Sequence, residues 1–197
     1  MKRLLFVIVS TFVLSSVCLS AQFSRADRLD NCVIIDGLPN SLGVNMKFQP
    51  PKGWLEIPSK RPHIVKEYDL ESSYASLALS IIDNVTFFSR NEFREMYEDF
   101  SKSIKEELLS EYPAGNPKIL DQKIVDVDRY PFFVYKVSIH VAGYGKNIPT
   151  IMKQYYTAYE DKIICFMGIA PTLKWNPYLE FLIDSAVYST VFPEQYE

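Results

Sequence analysis

The sequence predicts an α+β fold: an antiparallel β-sheet of about six to seven strands, with a long helix after the third strand and a C-terminal helix packed on the sheet. Three observations carry this expectation. Apolar residues alternate with period two as far as residue 82, switch to helical spacing over 90–111, and return to period two in four closely spaced runs before a last helical segment. The 13 Tyr and 13 Phe favour the half-buried surface of a sheet. At 197 residues the chain suits one domain, since domains commonly hold roughly 100–200 residues.

The chain opens on Lys2 and Arg3, then the apolar run Leu4 to Leu14, then small residues at Ser15, Ser16, Ser20 and Ala21. This order is that of a secretory signal peptide over 1–21, with cleavage expected between Ala21 and Gln22. Ser10 and Thr11 break the run, which falls short of the roughly 20 apolar residues of a spanning helix. No later segment is apolar for long enough to span a bilayer. The expected address is therefore periplasmic or extracellular, with lipid anchorage through Cys18 as the alternative. Residues 22–42 are expected to form an N-terminal extension and 43–197 a single domain. Loss of Lys2 and Arg3 takes 21 basic residues to 19 against 24 acidic ones, a net of about −5. That balance lacks the basic stripe of a nucleic-acid binder and the polybasic cluster that anionic lipid attracts.

"VNMKFQ" (44–49) puts Val44, Met46 and Phe48 on one face, as a half-buried strand does. Pro50 and Pro51 cannot donate to a ladder and end it. Gly53 then permits a turn that returns Trp54 over the apolar face, where an indole serves best as a core plug. Strands follow at 63–69 and 74–82, joined by the polar "LESS". In the second, Ala75, Leu77, Leu79 and Ile81 oppose Ser76, Ala78 and Ser80, small side chains that suit a close-packed covering layer.

Phe93, Tyr97, Phe100, Ile104 and Leu108 form one stripe of a long amphipathic helix over 90–111. Ser89 with Glu92 is a capping box at its start, and Pro113 with Gly115 marks its end. Four strands are expected at about 119–127, 131–142, 149–159 and 162–170. Tight turns at Asp128–Arg129 and Glu160–Asp161 make neighbours antiparallel, while "GYGKNIP" (143–149) reads as a longer, flexible loop. A last helix begins at Asn176, a cap, and Pro177, with Leu179, Leu182, Ile183, Ala186 and Thr190 inward.

An early strand closed by Pro51, Lys52, Gly53 and Trp54, a helix after the third strand, an antiparallel meander and a final helix ending near "SAVYSTVF" resemble the PsbP-like superfamily, which includes PsbP and DcrB-like periplasmic proteins. The resemblance spans about residues 44–192 and implies an α/β/α sandwich. Members differ in what they do, and no functional residue of any member has a counterpart here, so it implies fold alone.

Chemistry-bearing patterns are scarce. The two histidines, His63 and His140, belong to no zinc spacing, and there is no nucleophile elbow, phosphate loop or dinucleotide fingerprint. No metal and no cofactor is expected. Strand parity puts Lys136, Ser138 and His140 on one face, and an antiparallel partner is expected to set Gln154 and Tyr156 beside them. That strip reads either as a partly solvated face or as a surface for a small ligand or a partner. Cys32 and Cys165 are either a disulfide of an exported protein or, for Cys165 within "IICFMGI", a buried thiol too shielded to be a nucleophile. Asn84 heads a glycosylation triplet and Asp184 another short modification-like triplet. Two functions follow: a non-enzymatic exported domain that binds another envelope or extracellular protein, as an accessory or assembly factor, or a small hydrolase with a site assembled from distant residues.

Overall fold

Alternation and turn chemistry produce the sheet that the sequence leads one to expect, with the strands in a simple order. In the computed structural model, residues 32–59, 61–83, 88–112, 117–143 and 146–196 are described. The leader, Asn84, Pro113 and Gly115 lie outside the described residues. Strands β3 (Leu55–Ile57), β4 (Ile64–Leu70), β5 (Ala75–Asp83), β6 (Lys118–Val127), β7 (Tyr130–Gly143), β8 (Lys146–Tyr159) and β9 (Lys162–Pro171) form one antiparallel sheet. Its order is β3-β4-β5-β9-β8-β7-β6. Helices α1 (Arg90–Glu95) and α2 (Tyr97–Glu111) follow the sheet's third strand, and α3 (Pro177–Tyr188) follows β9. The α+β expectation therefore holds in its strand number and in both helix positions.

Period-two alternation divides the sheet into two covered faces. On one, Phe133, Tyr135, Val137 and Ile139 of β7 meet Phe93, Ile104 and Leu108 of the helical stripe. Phe93 stacks on Phe133 with centroids 4.2 Å apart. On the other face, Phe132, Val134, Tyr155, Ile164 and Phe166 pack with Leu179, Ile183, Ala186 and Val187 of α3. Each face buries a core of its own, giving three layers.

Several expectations need correction. The strand expected over 44–49 shortens to β2 (Lys47–Phe48), which pairs with β1 (Val33–Ile34) in a separate two-stranded sheet. Its alternation survives, since Val44, Met46 and Phe48 are all wholly buried. Ile35 is buried with them and donates its N–H to Met46 O at 2.9 Å. The compact unit accordingly starts at Val33 and takes in residues 33–42, of which Ile35 and Ser41 are buried. β3 was not foreseen, because three residues show no period. Beyond Pro50 and Pro51, Gly53 takes φ +82° and Trp54 donates its N–H to Pro51 O. The Trp54 side chain is buried in the α3-side core, the plug that the punctuation implied.

The long helix breaks at Met96, whose N–H is shared between Glu92 O and Phe93 O at 3.2 Å each. The Ser89–Glu92 capping box forms in both directions. Of the expected loop 143–149, Gly143 and residues 146–149 are instead strand, with the β7–β8 ladder running to Gly143 opposite Lys146, and residues 144 and 145 lie outside the described residues. At the far end Asp128 and Arg129 both take positive φ, as a two-residue hairpin turn of matching twist requires. Thr190 is buried but lies past the end of α3, and Leu182 is only half-buried; Val187 takes the inward place.

Candidate functional site

α3 is capped at its start and carries a dense polar cluster. Asn176 accepts hydrogen bonds from the N–H groups of Tyr178 and Leu179, both at 3.0 Å, and Pro177 occupies the first turn. Leu179, Ile183 and Ala186 then point to the sheet, one side of a 3.6-residue period. Glu180 and Asp184, one turn apart, point to β7 and β8. Gly168 of β9 lies beneath Ile183 and lets the helix come close.

Two lysines answer those carboxylates. Lys153 of β8 is 1% exposed, and its Nζ donates to Glu180 Oε1 at 2.8 Å and to Asp184 Oδ1 at 2.7 Å. Lys136 Nζ donates to Glu180 Oε2 at 2.7 Å, and Trp175 Nε1 donates to the same oxygen at 3.1 Å. The Tyr155 hydroxyl donates to Asp184. Two cations thus face two anions, the pairing that a buried charge requires.

The electrostatics follow from this geometry. Burial alone would raise the Glu180 carboxyl, but hydrogen bonds from Lys136, Lys153 and Trp175 outweigh it and hold the group at about 2. Burial would likewise lower Lys153, yet its bonds to Asp184 and Glu180 carry it above its ordinary value. Burial first, then the charge of Asp184, pushes the Tyr155 hydroxyl up. At neutral pH Glu180 stays ionised and Lys153 protonated, so neither is tuned to exchange protons with a substrate. The cluster braces α3 on the sheet.

Outside the brace, the same helix exposes Tyr178 (69%) and Phe181 (62%), and the loop before it exposes Leu173 (98%). That loop is tied to β8 by the Thr172 N–H, which donates to Pro149 O at 2.8 Å.

Lys136, Ser138 and His140 do share this face, opposite Lys153, Ile151 and Pro149 respectively. Lys136 is half-buried beneath α3, whereas His140 is exposed. Gln154 and Tyr156 do not join them, because they register against Tyr135 and Phe133 and so face α2. The reason is the register: Gly143 opposes Lys146, which pairs even positions of β7 with odd ones of β8, and a one-residue offset exchanges the faces. Gln154 and Tyr156 instead line a cavity of about 70 Å³ with Ile104, Leu108 and Met167.

Of the two readings of Cys32 and Cys165, a bridge or a buried thiol, the structure has the thiol: Cys165 is buried and no disulfide joins it to Cys32. Burial pushes that thiol up to about 12, despite hydrogen bonds with Tyr156 and Ser80, on the α2 side of the sheet. Among the described residues no group of His, Cys, Asp and Glu is placed to hold a metal ion. No described helix is long and apolar enough to cross a membrane.

Sequence reasoning missed Lys153, Glu180, Asp184 and Trp175. A signal was present, since Lys153 interrupts the apolar run "IPTIMKQYY" at an inward position and Glu180 and Asp184 fall one turn apart on an amphipathic helix.

No protein-family model matches the chain, and no curated protein matches its sequence. Solved structures do. The solution structure of the cyanobacterial PsbP, CyanoP, from Synechocystis sp. PCC 6803 aligns with a TM-score of 0.50 and 14% identity, covering 75% of this chain and 86% of that one. The Ran-binding protein Mog1p of Saccharomyces cerevisiae aligns with a TM-score of 0.50 and 12% identity, covering 82% of this chain and 95% of that one. The seven-stranded sheet, with its helix after the third strand and its terminal helix on the opposite face, is a PsbP-like fold.

Proposed function

We propose that this chain is an exported, non-enzymatic binding or accessory domain of the cell envelope, with the outer side of α3 as its docking face for another envelope or extracellular protein. The carrying observation is that Tyr178 and Phe181 on α3, and Leu173 in the loop before it, stand exposed beside a helix braced on the sheet by the ion cluster around buried Lys153. Large apolar and aromatic side chains on a preorganised support are what protein partners use as anchors. His140 and Ser138 flank this face on β7, and Lys136 ties it to the helix. The charged and apolar start of the sequence supports export, and the fold's occurrence in a Ran-binding protein supports protein recognition by analogy.

The hydrolase reading gains no such support. His63 and His140 are exposed, and neither lines the cleft between α2 and β6, the one beside α1 or the cavity beneath α2.

A photo-crosslinking amino acid at position 181 tests the docking face, with one at Lys102 on α2 as the control. A discrete adduct in envelope extract from position 181 alone, abolished by Tyr178→Asp or by joint substitution of Lys136 and His140, is the expected result. Equal labelling from both positions, or adducts indifferent to these changes, overturns it. Intact mass of the exported protein reports cleavage after Ala21 or a lipid on Cys18.

A further inference from the structure

A sheet of seven strands has two edges, and only one of them is long. β3, at one edge, has three residues, whereas β6 at the other has ten. Among the described residues, a row of backbone N–H and C=O groups on β6 therefore has no neighbouring strand. Side chains along this edge are largely exposed: Asp121, Gln122 and Lys123 are all exposed, and Leu120, thrown out by a bulge between Ile119 and Asp121, is 51% exposed. An open groove lined by Lys105, Leu109 and Leu120 runs between this edge and α2. Leu109 is 59% exposed there.

The sequence of the edge, "ILDQKI" over 119–124, is self-complementary when read against its own reverse. Consider two copies of β6 paired antiparallel about Gln122. Asp121 of each copy then faces Lys123 of the other, on the α3 side of the sheet. Gln122 faces its own equivalent, and on the α2 side Ile124 faces the bulged pair Ile119 and Leu120. Acid meets base twice, apolar meets apolar twice, and a two-fold axis generates each contact in duplicate, as in an isologous interface. A lysine on an edge strand ordinarily deters foreign strands. Here Asp121 supplies the matching charge in a copy of the same edge.

We propose that β6 is a self-association edge through which a second copy of this chain joins antiparallel, extending two seven-stranded sheets into one. The occupant is specified by the charge order, since a strand lacking an acid–Gln–base core leaves Asp121 or Lys123 opposite a like charge or none. The interface is separate from the α3 face.

The test is sedimentation of the purified protein across the micromolar range. The unmodified protein is expected to show a concentration-dependent monomer–dimer equilibrium. Asp121→Lys and Lys123→Asp each place like charges opposite one another twice, and each weakens self-association by about tenfold or more. Both positions are exposed, so circular dichroism should be unchanged. The double variant Asp121→Lys with Lys123→Asp restores the dimer. The two single variants, each poor at pairing with itself, should associate with each other when mixed. A protein monomeric throughout overturns the proposal. So does a dimer that ignores the single variants, or a mixture no tighter than its components.

Discussion

Gly168 lets α3 come close to the sheet, and Gly168→Ala measures how tightly that contact is made. A Cβ at this position would stand 2.8 Å from both Cδ1 and Cγ2 of Ile183. Carbon atoms in contact prefer about 3.5–4.0 Å, so the two groups overlap by most of an ångström. Ile183 cannot swing aside: it is wholly buried and β-branched on a helix, which leaves it one strongly preferred rotamer. The helix must therefore lift, and lifting it stretches the 2.8 and 2.7 Å bonds from Lys153 to Glu180 and Asp184. Overpacking of this kind costs about 1–3 kcal/mol, and the strained ion cluster places this case toward the upper end. For a chain of this size the loss corresponds to a fall in Tm of roughly 4–10 °C. Urea unfolding followed by circular dichroism reads it directly. Ile183→Ala alone removes core volume and costs about 2–5 kcal/mol. In the double variant the added methyl at 168 enters the space that Ile183 leaves, so the combined loss should fall short of the sum by about 1 kcal/mol or more. Additivity of the two losses, or a neutral Gly168→Ala, would refute the account of how α3 seats.

Two further outcomes follow from the buried groups. Glu180 is held at about 2 against an ordinary 4.5, so its stabilisation is complete above that ordinary value and is lost as pH falls from there toward 2. Glu180→Gln should lower stability at neutral pH and flatten the acid limb of a stability–pH curve, measured by urea titration at stepped pH; an unchanged slope with a constant offset would count against the pairing. The Cys165 thiol, pushed up to about 12 by burial, should resist a thiol-directed reagent at mildly alkaline pH until denaturant is added, which quantitative labelling with mass spectrometry would show. Labelling of Cys165 in the folded protein at the denatured rate would contradict its placement.

What the sequence disclosed and what it hid divide along the range of the interactions concerned. Ser89 with Glu92, Asn176 with Pro177, and the Asp128–Arg129 turn each act within four residues, and each formed as read. The alternation of Val44, Met46 and Phe48 reported burial correctly but not the partner strand: the side chains are buried against the α3-side core while the backbone pairs with Val33–Ile34. A period of two records which side of a strand is covered and carries no record of what it is hydrogen-bonded to. The β7–β8 ladder runs on to Gly143 opposite Lys146, and reading 143–149 as a loop left its register open. The face assignment of Gln154 and Tyr156 failed for that reason, while Lys136, Ser138 and His140, related by parity within one strand, stayed together. The same distinction explains the ion cluster. Lys153 looks like an error in an apolar run when β8 is read alone. It becomes intelligible only when α3, about 30 residues downstream, delivers Glu180 and Asp184 to it. A cation placed where only long-range folding can neutralise it penalises any arrangement in which α3 docks elsewhere, because Lys153 would then be buried without a partner. On this reading the cluster selects the seat of α3 more than it adds stability, and the exposed Tyr178 and Phe181 inherit their fixed orientation from it.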